Sequence, residues 1–154
     1  MDTTTIPARG LRSACRNFLK DLEAMPEDAF EKNFGGATRT VADIVYEVNL
    51  VNDHIGMQMR GEEPFEWKDE GWIKAPADFR GKETVINAFK TSSEKILAAA
   101  DALSAEEMEA PIQGKDGETS QGARCRFMTL HVWYHSGQVN FIQTLLGDDA
   151  WHWG

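Results

Sequence analysis

His131 and His135 stand four residues apart in the stretch MTLHVWYHSGQVNFIQTLLG. Four residues is about one helical turn, so on a helix the two imidazoles leave one face roughly 6 Å apart along the axis. Two imidazoles on a core-facing side must be hydrogen-bonded or ligated, because burying them bare is costly. A metal on two histidines still lacks a third protein ligand, and a water then fills the open position. The other candidate donors are His54, His152 and, on a neighbouring helix, the carboxylates Asp43 and Glu47. Gln138 follows His135 by three residues on the same face. Its amide suits the orientation of a ligand or a bound water, and equally the role of a satisfied buried amide.

The elements that must position this pair follow from periodicity. The stretch has no proline and one internal glycine, and it predicts one long helix from about Cys125 to Leu146, with Gly147 as its C-cap. Met128, Val139, Ile142, Leu145 and Leu146 share the histidine side, which aims the pair at the core. The opposite side carries Trp133 and Asn140, with Val132 and Phe141 on its flanks. That is too apolar for a solvated face, so residues 61–82 or a second subunit are expected to cover it. Gly137 is expected to let another backbone pack closely.

Three more long helices precede this one. Leu11, Cys15, Phe18 and Leu22 mark a helix from about Pro7 to Ala24. Val41, Ile44, Val45, Val48 and Ile55 mark a second from about Thr40 to Gly61, and Val85, Phe89, Ile96 and Leu97 a third from about Glu83 to Leu103. Ser104 and Glu107 fit a capping box for a further short turn. The glycine-rich stretch APIQGKDGETSQGAR reads as a turn or short hairpin. Residues 61–82 lack a clear period and carry Trp67 and Trp72. They are either a functional lid or a crossover that packs its tryptophans on the bundle. The expected fold is all-α: a four-helix bundle, residues 1–154 as one domain, with a long crossover loop between the second and third helices.

Composition excludes some partners. A formal charge of −9 argues against nucleic acid, which needs a basic surface. No run reaches about 18 apolar residues, so no membrane-spanning helix is expected. The start, MDTTTIPARG, lacks the basic and apolar parts of a signal peptide, and a cytoplasmic location is the default. Cys15 and Cys125 are far apart and fit no zinc or redox spacing; two inert reduced thiols are expected despite the adjacent Arg16 and Arg126.

HVWYHSGQVNFIQTLLGD resembles the last-helix signature, HxxxHxGQ, of the DinB-like superfamily, and ATRTVADIVYEVNLVNDHI resembles that family's second helix. The resemblance implies a four-helix bundle, often dimeric, with a divalent metal on three histidines, one from the second helix and two from the fourth. The two fourth-helix ligands fall on His131 and His135. The second-helix position falls on Glu47, so this chain departs from the three-histidine pattern. A glutamate is still a legitimate ligand, and two histidines with one carboxylate can hold zinc or iron. The implied metal is zinc or nickel, with iron or manganese also open. Glu47 lies at the edge of its helix's apolar stripe, near Val51 and His54. His54 could be a substrate contact or a substitute ligand, but two turns is about 10 Å, too far for it to share one ion with Glu47 without distortion. Tyr134 and Trp67 could line a cleft, and the tail with His152 could fold over the bundle end.

Two functions compete. In one, the chain is a metal-dependent enzyme for a small molecule, with Glu47, His131 and His135 at the catalytic centre and His54 and Gln138 in binding roles. The resemblance implies thiol-dependent transfer or isomerisation, using a low-molecular-weight thiol, or else hydrolysis. Glu47 could instead serve as a general base beside a two-histidine metal. In the other, the site has decayed and the bundle is a non-catalytic binding or stress-associated protein. A homodimer is expected in either case.

Overall fold

The computed structural model describes residues 5–67 and 71–154. Helix α1 spans Ile6–Ala24, α2 Val41–Met59, α3 Lys82–Asp101, α4 Ala105–Glu109 and α5 Gln121–Leu145. The antiparallel hairpin β1 (Ile112–Gly114) and β2 (Gly117–Thr119) pairs Ile112 with Thr119 just before α5. The four long helices are the expected bundle, and α4 and the hairpin are the expected small additions.

Local chemistry explains the boundaries. Thr40 and Asp43 form a capping box at the start of α2, and Ser104 with Glu107 does the same for α4. The start of α3 has no side-chain cap of its own. Its free N–H groups are met instead by acids from the segment after α1: Gly81 N–H donates to Glu31 at 2.5 Å and Lys82 N–H to Glu27 at 3.2 Å. Helix α5 begins at Gln121, four residues before the expected start, because Ser120 accepts the Ala123 N–H at 3.1 Å and caps it there. Its first turn packs so tightly on α4 that a Cβ at Gly122 would meet Glu109 Oε1 at 2.8 Å and the Met108 carbonyl at 3.0 Å. At the far end Gly147 takes φ +86°, the left-handed position that glycine fills without strain.

In the bundle α1 packs mainly on α5 and α3, and α2 mainly on α3 and α5, so α1 and α2 stand diagonally opposed. Phe18 and Phe89 meet edge to face at the centre, 5.0 Å between rings. Helix α5 therefore contacts two partners, and its inward arc serves both. Its buried residues are Gly122, Cys125, Met128, Val132, His135, Ser136, Val139, Ile142 and Gln143. Val139 and Val132 define the centre of that arc, and the histidines sit to one side of it.

This corrects the expectation for the far side of α5. Val132 is fully buried, Trp133 meets Trp153 of the C-terminal tail edge to face at 4.8 Å, and Asn140 donates to Gln143 at 2.8 Å. The chain's own C-terminal tail covers that face. The apolar residues left outside are Phe127, Leu130, Tyr134, Phe141 and Leu145, on the other flank of the histidines. Gly137 is also corrected: it is exposed, and nothing lies within 4 Å of where its Cβ would be.

Candidate metal centre

Glu47 of α2 and His131 and His135 of α5 converge where the two helices pack. The two Nε2 atoms are 3.2 Å apart. Glu47 Oε1 lies 3.5 Å from His135 Nε2 and 3.8 Å from His131 Nε2. A circle through these three atoms has a radius of about 2.0 Å, the length of a zinc–nitrogen or zinc–carboxylate bond. All three donors can therefore reach one point without any of them moving far.

The protonation states suit that use. Burial pushes the His131 imidazolium down to about 4, with His135 and Arg39 adding to the effect and Glu47 opposing it. Burial lowers His135 as well, against the raising influence of Gln138 and Glu47. Both rings are neutral at pH 7 and have a lone pair to give. Gln138 Oε1 lies 2.9 Å from His135 Nδ1. With the amide oxygen as acceptor, Nδ1 carries the proton and the Nε2 lone pair faces Glu47. The His131 ring lies against Phe127, 5.8 Å between centroids, and among the described residues its buried Nδ1 has no partner.

The second oxygen of Glu47 is held from outside. Arg39 Nη2 sits 2.6 Å from Glu47 Oε2. The same nitrogen lies within 3.2 Å of the Asp43 and Ile73 carbonyls, and the Trp72 ring covers the guanidinium at 5.0 Å. Beside this cluster runs a mostly apolar groove of about 440 Å³, walled by Phe34, Ile44, Trp72, Tyr134 and Phe141. The three converging side chains do not line it, but their immediate partners Arg39 and Gln138 do. A wider groove of about 730 Å³ near Met57 and Lys95 holds none of these residues.

The DinB superfamily profile matches residues 11–139, most of the chain. The chain belongs to the DinB superfamily. The crystal structure of a conserved protein from Enterococcus faecalis is similar to it, with a TM-score of 0.72 at 15% identity, covering 96% of this chain and 99% of that one. At that identity the likeness speaks for the fold alone. No curated protein matches the sequence.

In this DinB chain the remaining sequence candidates fall elsewhere. His54 stands edge-on to Phe65 at 5.1 Å and Trp67 at 5.9 Å, with Nε2 at 3.4 Å from Gln58, outside the three-atom cluster. Trp67 thus packs on α2, while Trp72 covers Arg39; residues 68–70 of that crossover lie outside the described residues. His152 pairs with Asp148 at 2.8 Å in the packed tail. Cys15 and Cys125 are buried, and burial pushes their thiols up to about 12 and about 11, so neither is a thiolate at neutral pH. Sequence reasoning missed Arg39 and Trp72. One signal was present: a cation one residue ahead of the Thr40 N-cap opposes the helix dipole, which asks for another reason for its place.

Proposed function

We propose that this DinB-superfamily chain is a divalent-metal-dependent enzyme for a small molecule, working by thiol-dependent transfer or isomerisation or by hydrolysis. The observation that carries the reading is the spacing of the three donors. Only the imidazole pair lies well within hydrogen-bond distance, and Glu47 Oε1 stands at or beyond that limit from both rings. A metal-free polar cluster would leave that oxygen without a close hydrogen bond to either ring, whereas a shared cation would engage all three atoms.

His131, His135 and Glu47 would hold the ion, zinc or nickel by preference. A bound divalent ion supplies Lewis acidity, making a water or a low-molecular-weight thiol a stronger acid at neutral pH. Gln138 holds the His135 ring in register. The groove beside the cluster seats the apolar body of the substrate, with Tyr134 and Phe141 as walls. The reading takes the chain to work in the cytoplasm; among the described residues no helix is long and apolar enough to cross a membrane.

A homodimer completes the reading. Phe127, Tyr134 and Phe141 recur every seven residues on α5, with Leu130 and Gly137 between them, which is the spacing of a helix–helix seam. Leu130 is 70% exposed and Phe141 64%. A two-fold axis near Gly137 would pair this stripe with its copy and narrow the mouth of the groove. The function is tested by metal analysis of protein purified without added metal and after exposure to zinc, nickel, manganese and iron. About one equivalent per chain is expected. A chain that stays empty under all four overturns the enzyme and leaves an all-helical binding protein.

A further inference from the structure

Arg39 is built into the cluster more deeply than a surface ion pair would be. Its side chain is 9% exposed and that of Glu47 is 16% exposed. It comes from the segment before α2, against the preference of the helix dipole. Three things keep it there: the carbonyls of Asp43 and Ile73, the face of Trp72, and the Glu47 carboxylate. Ile73 and Trp72 belong to the crossover after α2, and Asp43 fixes that crossover too, accepting the Ala75 N–H at 2.8 Å. The crossover is thereby tied to the guanidinium, and the guanidinium to the carboxylate.

The consequence is a division of labour between the two oxygens of Glu47. Oε2 is taken by Arg39 at 2.6 Å, and Oε1 is the oxygen left facing both imidazoles. Charge is divided as well. The guanidinium cancels the charge of the carboxylate it pairs with, so Glu47 enters the donor set with little net charge. We propose that Arg39 is a positioning residue that makes Glu47 a one-oxygen, charge-compensated ligand for a divalent cation. This rests on the metal-dependent reading above and goes beyond it by naming what lets a glutamate stand in that place.

The test uses zinc and cobalt(II) as probes of the full chain. Zinc affinity comes from competition with a chromophoric chelator, coordination from the cobalt(II) visible spectrum, and stability from urea unfolding of the metal-free protein. Arg39→Met is expected to weaken zinc binding about 10- to 100-fold, the usual cost of removing a group that orients a ligand. It should also change the cobalt spectrum, as Glu47 swings to bind through both oxygens or leaves the ion. Arg39→Lys should recover part of the affinity, because it keeps the charge and loses the flat guanidinium against Trp72. In a Glu47→His background, Arg39→Met should cost almost nothing in affinity, since there is no carboxylate to orient.

A merely structural ion pair gives a different pattern: lower stability of the metal-free protein with zinc affinity and cobalt spectrum unchanged. That result overturns the proposal, as does a loss of affinity from Arg39→Met that is equal with and without the Glu47→His change. If Arg39→Met does not fold, Arg39→Lys carries the comparison, and wild-type affinity with a wild-type spectrum there counts against it. The two readings fail separately. A wild-type chain that takes no zinc sinks both, whereas a wild-type chain that binds zinc indifferently to residue 39 sinks this one alone.

Discussion

Ser136 and His135 are neighbours on α5, and they turn to opposite partners. Ser136 faces α1, where the carboxylate of Asp21 accepts from its hydroxyl at 2.9 Å and from Trp153 Nε1 at 2.9 and 3.0 Å. The Asp21 carbonyl takes Gln143 Nε2 at 3.2 Å, and Lys20 holds the Gly154 carbonyl at 2.6 Å. His135 faces α2, where Glu47 has one oxygen against Arg39 and the other against two ring nitrogens that, in their neutral state, have lone pairs to give. Both clusters bury a carboxylate between two helices. In the first, donors and acceptors match, and nothing further is wanted. In the second, three electron-rich atoms surround one point. The first has the chemistry of a fastener and the second that of a receptor for positive charge.

Mutations at the two carboxylate clusters should therefore separate cleanly. His135→Ala is expected to reduce zinc affinity by at least about 100-fold, because it removes one of three donors. Its effect is read by chelator competition, and wild-type affinity in this variant would erase the distinction. Asp21→Ala should do the converse. It strands the Trp153 N–H and the Ser136 hydroxyl in a buried setting, at a cost of about 3 kcal/mol in urea unfolding. Its zinc affinity should match wild type. A marked loss of metal in Asp21→Ala would mean that the two clusters are coupled through α5.

The difference between the clusters also explains what the sequence disclosed. The long helices were legible because Leu11, Phe18, Val45, Phe89 and Val139 recur at helical spacing, and the histidine pair was legible because both imidazoles lie on one helix. Glu47 was one of several candidate donors, and only the resemblance to DinB-like chains chose it over Asp43, since a carboxylate at the edge of an apolar stripe has many ordinary uses. The orientation of α5 was misread for a physical reason. Its buried arc includes Ser136 and Gln143, and two buried polar residues shift the apparent centre of an apolar stripe. Their partners come from 115 and 122 residues away, from a residue of α1 that no local pattern marks. Arg39 was hidden likewise, because its place depends on Trp72 and Ile73 of an irregular crossover.

Acid should act on the His131 cluster in the metal-free protein. The unfolded chain titrates histidine near pH 6.5. Burial holds His131 down to about 4 in the folded state. Between those values the unfolded chain binds more protons than the native one, so stability falls as pH falls from about 6.5 toward 4. One such ring sets a slope of up to about 1.4 kcal/mol per pH unit, and its contribution is flat above pH 6.5. His131→Leu has no proton to gain there and should lessen the slope in urea midpoints measured from pH 7 to 4.5. An unchanged slope in that variant would show that the acid response comes from elsewhere in the chain.

The smallest expected effect lies one residue past Ser136, at Gly137. It is in the middle of α5, exposed, with nothing within 4 Å of a built Cβ. Glycine there loses more backbone freedom on folding than alanine would, and no contact in the monomer requires it. Gly137→Ala should raise monomer stability by about 0.5–1 kcal/mol. The residue also sits midway along the exposed stripe of Phe127, Tyr134 and Phe141, and it borders the groove beside the candidate metal site. If two copies meet there, the glycine permits their close approach, and the added methyl should weaken association while it stabilises each chain. Sedimentation and unfolding measured on the same variant read the two effects separately. A more stable chain with unchanged association would remove the dimer seam from this face and leave Gly137 only as the open side of the groove.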